Sequence, residues 1–217
     1  MRQRFSRIHH FFALLSIFSL TFPPFLAASV TWNAAQGVRC EFKNQRARCV
    51  RAAWGFEFKF LSSVDIDAYP VIVTLRQKLN NIRPDQQLLV LHTRWINRTD
   101  RAMFLEPSSI WLRLEPKHPY RPMSLEELVG LWGDLNFMDT EAGHWVQKNL
   151  GVNTIYVPAK HYTEKLLLFR VPRLGWVRFE LEVDPIWVGT EMNRFRLWGK
   201  AERNQKDKTE PPANPNR

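Results

Sequence analysis

Residues 177–183 read Val-Arg-Phe-Glu-Leu-Glu-Val. Apolar and charged side chains alternate without a break. A period of two puts Val177, Phe179, Leu181 and Val183 on one face and Arg178, Glu180 and Glu182 on the other, which is the mark of a strand buried on one side. Working outward, the same alternation recurs. Phe56, Phe58 and Phe60 alternate with Glu57 and Lys59, and Leu91, Thr93 and Trp95 with His92 and Arg94. Ile110, Leu112 and Leu114 alternate with Trp111 and Arg113, and Phe195 and Leu197 with Arg194, Arg196 and Trp198. Val71-Ile72-Val73-Thr74-Leu75 and Leu166–Val171, the latter ended by Pro172, are continuous β-prone runs and read as further strands. This reading sets Asp65 and Asp67 on one strand face. Short strands separated by polar turns predict an all-β protein, an antiparallel sandwich or barrel.

One segment departs from that pattern. Ser124-Leu125-Glu126-Glu127 is a capping box, with Ser at the N-cap and Glu three residues on. Leu125, Leu128, Leu131 and Trp132 then share one helical face, and Gly133 suits the C-terminal cap. Residues 134–150 show no clear period. The stretch 124–150 is therefore expected to be a short helical insertion between strands.

The N-terminus reads as an export signal. Arg2, Arg4 and Arg7 precede an apolar run over residues 11–22, Pro23-Pro24 follows, and Ala27-Ala28-Ser29 supplies small residues for cleavage. The run falls short of the ~20 residues that cross a bilayer. Residues 1–28 are expected to be the signal peptide, 29–199 the β domain, and 200–217, charged and Pro-rich, a disordered tail. The net charge of the whole chain is +10. Its bases are spread rather than clustered and the chain is read as exported, which argues against a nucleic-acid partner and for attraction to an anionic envelope surface.

The chain has two cysteines, Cys40 and Cys49. Val38–Lys43 and Arg46–Arg51 read as two strands turning at Asn44-Gln45. With Lys43 opposite Arg46, Cys40 falls opposite Cys49 at a non-hydrogen-bonded pair, where Cα atoms lie ~4.5 Å apart, within disulfide range. Export favours oxidation of the pair.

Over residues 88–183 the pattern resembles a family of secreted bacterial immunoglobulin-like domains of unknown function. The resemblance rests on three features. The first is a strand ending in Asn and a polar turn, Leu89–Asp100. The second is Ser109–Leu114 followed by Tyr120. The third is a hairpin of Leu167–Pro172 and Phe179–Val183. It implies an immunoglobulin-like antiparallel β-sandwich, carries no catalytic residues across and supplies no ligand. The chain departs from the family in having no lipid-anchor cysteine and in the length of 124–150.

Candidate chemistry is sparse. His92, His118, His144 and His161 lack zinc-motif spacing. Asp134, Asp139, Glu141 and His144 mark the one place where a metal-dependent hydrolase would gather its ligands. No nucleophile elbow or phosphate loop occurs, and nine glycines leave little room for a nucleotide cradle. No cofactor or metal is therefore expected, nor enzymatic activity. Asn97-Arg98-Thr99 has the form of a glycosylation sequon. Nine tryptophans are the unusual count. Trp111, Trp176 and Trp198 share strand parity with Arg113, Arg178 and Arg196, so all six are expected to point outward. Trp and Arg are favoured anchors of protein interfaces. The sequence thus predicts a periplasmic or secreted binding or assembly protein that recognises a protein partner through these six residues and the 124–150 insertion. A carbohydrate-binding module is the rival reading.

Overall fold

Alternating segments become strands and capped segments become helices, and one apolar run changes category. The computed structural model describes residues 30–34, 38–43, 46–114, 118–173 and 178–201. The expected signal peptide, Trp176, Val177 and most of the expected tail lie outside the described residues. In chain order the first elements are β1 (Val30–Ala34), β2 (Arg39–Lys43), β3 (Arg46–Val50), β4 (Trp54–Phe60), α1 (Ser63–Ile66), α2 (Pro70–Ile82) and β5 (Gln86–Asn97). Then come β6 (Met103–Leu105), β7 (Ile110–Leu114), β8 (His118–Tyr120), α3 (Leu125–Trp132) and α4 (Glu141–Asn149). The chain closes with β9 (Ile155–Val157), β10 (Tyr162–Pro172), β11 (Arg178–Val188) and β12 (Glu191–Ala201).

The fold is mostly β, with antiparallel strand pairs in two sheets. The five-stranded sheet runs β10-β5-β4-β3-β2. The seven-stranded sheet runs β1-β12-β11, and the far edge of β11 is shared. Phe179–Val183 pairs with β7, which carries β8, while Trp187 and Val188 pair with β6, which carries β9. The division falls where the β11 register shifts between Val183 and Ile186. Pro185 lies in that shift and has no N–H to give a ladder.

Inward residues of both sheets meet in one apolar cluster, with Trp54, Phe56, Phe58 and Trp95 from one sheet and Phe179, Leu181, Val183 and Phe195 from the other. Phe56 sits edge-on to Trp95 (4.7 Å between centroids, 77°) and to Phe195 (4.7 Å, 71°). Such pairs add about 0.5–1.5 kcal/mol each beyond their burial.

A second cluster lies on the opposite face of β5 and β10. There Leu88, Val90, Leu166 and Leu168 pack against Ile72, Leu75 and Leu79 of α2, Leu128 of α3, Phe137 and Val146. Because β5 and β10 are covered on both faces here, Leu88–Leu91 and Leu166–Phe169 are buried at every position. Alternation returns at His92, where helical cover ends.

Two expectations are corrected. Val71–Leu75 belongs to α2 rather than a strand. Pro70 occupies the first helical turn, and Ile72, Leu75 and Leu79 form one buried face. Burial of that face outweighs the β preference of the branched residues. Asp65 likewise lies in α1 and Asp67 at its C-cap, because Ser62 and Asp65 form a capping box. The box of Ser124 and Glu127 and the left-handed Gly133 (φ 77°) are as the sequence predicts. The insertion is nonetheless structural, since Leu128, Phe137 and Val146 are fully buried in the second cluster. Gly143 lets α4 approach the preceding 3₁₀ turn, where a Cβ would stand 2.1 Å from the Phe137 carbonyl oxygen.

The β2–β3 register sets Cys40 opposite Cys49, Glu41 opposite Arg48 and Lys43 opposite Arg46, as predicted. The cysteines form a disulfide with their Cα atoms 4.1 Å apart.

Candidate functional site

The outer face of the seven-stranded sheet carries five of the six predicted residues, Trp111, Arg113, Arg178, Arg196 and Trp198; Trp176 lies outside the described residues. Arg113 of β7 stands opposite Glu180 of β11, which stands opposite Trp198 of β12. In the next row Trp111, Glu182 and Arg196 lie abreast. Glu180 Oε1 accepts from Arg113 Nη1 at 2.9 Å and from Arg196 Nε at 2.7 Å. Arg113 Nη2 also lies 3.0 Å from Glu182 Oε2. Arg113 and Arg196 therefore belong to one carboxylate-centred network rather than standing as separate anchors. The pairing depends on the register of the β11–β12 hairpin against β7, which lies far from it in the chain.

The aromatic members differ in access. The Arg121 guanidinium lies over the Trp111 ring, 3.9 Å from its centroid. Trp198 is 40% exposed. Arg178 is exposed at the start of β11, opposite Lys200. Farther along the same face Arg194 pairs with Asp184.

At the far end of this face lies a feature that sequence reasoning missed. Tyr156 of β9 stands opposite Phe104 of β6, Phe104 opposite Trp187 of β11, and Trp187 opposite Met192 of β12. Three aromatic rings and a thioether thus form one row across four strands. The Phe104 and Trp187 rings are near parallel (16°), with centroids 6.3 Å apart. Tyr156 is 57% and Met192 65% exposed. Arg101 and Glu191 pair at 3.6 Å beside the β11–β12 turn. The row escaped notice because β6 and β9 have three residues each, too few for alternation to register. The available signal is the form of Met103-Phe104-Leu105 and Ile155-Tyr156-Val157, an aromatic between two buried aliphatics.

The other candidates do not converge. Asp134 Oδ1 accepts from the Asn136 amide at 2.9 Å, Asp139 lies in a 3₁₀ turn, and Glu141 and His144 are exposed on α4. Among the described residues no three His, Cys, Asp or Glu side chains are grouped to hold a metal ion. The Asn97 sequon is internal to the fold. Asn97 is 1% exposed, and its Nδ2 donates to the carbonyls of Arg101 (2.6 Å), Pro158 (3.1 Å) and Val157 (3.2 Å). Its Oδ1 accepts from the Thr99 amide and hydroxyl.

No family model and no curated protein matches the chain. Among solved structures, 44% of the chain is similar to the yjhA protein from Bacillus subtilis, at 12% identity and a TM-score of 0.29. The chain spans 55% of the length of that protein. A functionally unknown protein from Listeria monocytogenes EGD-e is similar over 73% of this chain and 77% of its own, at 10% identity and a TM-score of 0.32.

Proposed function

We propose that this is an exported, non-enzymatic binding or assembly protein of the bacterial envelope, an immunoglobulin-like β-sandwich that holds a protein partner on the outer face of its seven-stranded sheet. The observation that carries the reading is the row Tyr156–Phe104–Trp187–Met192. Aromatic residues, Met and Arg are the types enriched at the cores of protein interfaces, ringed by paired charges. This face has that arrangement: an apolar row at one end, the Arg113–Glu180–Arg196 network behind it, and Trp198 beyond. Arginines outnumber carboxylates there, so the partner is expected to bring an apolar patch with an acidic border. Two antiparallel sheets sharing one core support the sandwich. The disulfide and the N-terminal charge pattern support export.

Photo-crosslinking in the native host tests the reading. A benzoylphenylalanine at position 192 or 156 should give a protein adduct of defined mass. The same group at position 135, where Leu135 is 93% exposed away from this face, should not. Trp187→Ala should abolish the adduct while leaving the circular dichroism unchanged. Equal adducts from all three positions would overturn the reading, and so would adducts destroyed by periodate, which would mark a carbohydrate ligand.

A further inference from the structure

The outer face of the five-stranded sheet carries a row of alternating charge. Glu41, Arg48, Glu57, Arg94 and Glu164 are successive cross-strand neighbours over β2, β3, β4, β5 and β10. Glu57 lies 3.3 Å from Arg48 and 3.7 Å from Arg94, and Glu164 lies 3.0 Å from Arg94. Opposite charges face each other at each step, the favourable arrangement for directly opposed pairs.

The adjacent row breaks this rule. Arg46 stands opposite Lys59, and Lys59 opposite His92. Like charges placed directly opposite cost stability. Asp65, reaching in from α1, pairs with Lys59 at 2.7 Å. Arg46 has no ion pair among the described residues. Burial holds the His92 imidazole below its ordinary pKa; Glu164, 3.9 Å away, opposes this, and Arg46, Arg94 and Lys59 push it further down. Arg46, Lys59, His92 and Arg94 line an outer-face cleft of about 520 Å³ including its open mouth. The acids that also line it, Glu57 and Glu164, are already matched by Arg48 and Arg94. Lys59 spends one of its donors on Asp65, so the cation left without an acid among the described residues is Arg46.

We propose that this cleft is an anion site for a phosphate-type oxyanion, held by Arg46, Lys59 and the protonated imidazole of His92. A guanidinium fork, an ammonium and an imidazolium N–H stand side by side on three neighbouring strands, the donor types that bind a tetrahedral anion. Binding stabilises the charged imidazole, so the anion and a proton are taken up together. The site is on the opposite sheet from the proposed protein-docking face and stands independently of it.

The test is a nuclear magnetic resonance titration of His92 in the full disulfide-bonded chain, with inorganic phosphate against chloride at equal ionic strength. Phosphate should raise the His92 pKa where chloride does not. Affinity for sulfate, a tetrahedral dianion whose charge does not change over this range, should tighten by roughly three- to tenfold between about pH 8 and about pH 5.5. Arg46→Gln should lose most of the binding, and His92→Gln should keep weak binding without its pH dependence. Equal effects of phosphate and chloride, or an Arg46→Gln variant that binds like the parent, would overturn the site. Sedimentation with phosphatidylcholine vesicles, with and without phosphatidylglycerol, separates the sources. Arg46-dependent binding to the anionic vesicles identifies a lipid phosphate, and binding of free phosphate alone identifies a soluble or polymer-borne one.

Discussion

The side-chain amide of Asn97 donates to the backbone carbonyl of Val157 at 3.2 Å, tying the end of β5 to the end of β9, strands of different sheets. Both carbonyl neighbours of that bond, Arg101 and Pro158, draw on the same Nδ2 group. An aspartate here would set a buried oxygen against three carbonyls. Asn97→Asp should therefore cost about 2–4 kcal/mol in urea unfolding. With Nδ2 occupied and buried, expression in a glycosylating host should add no glycan mass at Asn97.

The two faces of the seven-stranded sheet should respond differently to truncation. Phe179 is 3% exposed and belongs to the shared core, where Phe60 meets it edge-on at 5.3 Å. Phe179→Ala should cost about 3–5 kcal/mol as a core cavity. Trp198→Ala, on the outer face, should stay within about 1 kcal/mol of the parent in the same denaturation experiment.

The helical layer should prove essential to the fold. Leu128→Ala removes a fully buried side chain from the second cluster and should cost about 2–5 kcal/mol. Replacing residues 124–150 by a short turn would uncover Leu88, Val90, Leu166 and Leu168. That variant should lose its cooperative thermal transition.

Acid should weaken the protein partly through Asp65. Burial pushes its carboxyl pKa up, but hydrogen bonds from Lys59 Nζ, the Ser62 amide and the Ser62 hydroxyl outweigh burial and bring it down to about 2. A carboxyl with a lowered pKa stabilises the fold above about pH 4 and loses that contribution as pH falls towards 2. The side chain is 32% exposed, so screening leaves about 1 kcal/mol. Asp65→Asn should lower the urea midpoint at neutral pH and flatten its decline between about pH 4 and pH 2.

Local patterns carried the sequence reading where one segment decides the outcome. The Cys40–Cys49 register follows from turn length, α3 from a capping box, and β11 from seven alternating residues. The reading failed where a distant partner decides. Val71–Leu75 looks extended by composition, and it becomes helical because α2 has Leu88 and Val90 of β5 to cover. The Arg113–Glu180–Arg196 network and the Tyr156–Met192 row depend on cross-strand registers between segments remote in sequence. Parity alone marks their members as outward-facing without saying which of them meet.

Val30 and Ala201 are register partners on β1 and β12, so the first and last described residues meet at one corner of the seven-stranded sheet. A force pulling the two ends apart would peel β1 from β12 one residue pair at a time instead of shearing the whole ladder at once. Met192 stands nine residues back along β12 from that corner, about 30 Å away at the rise of an antiparallel strand. A tether at either end of the domain would hold it by this corner and point the aromatic row away from the attachment point.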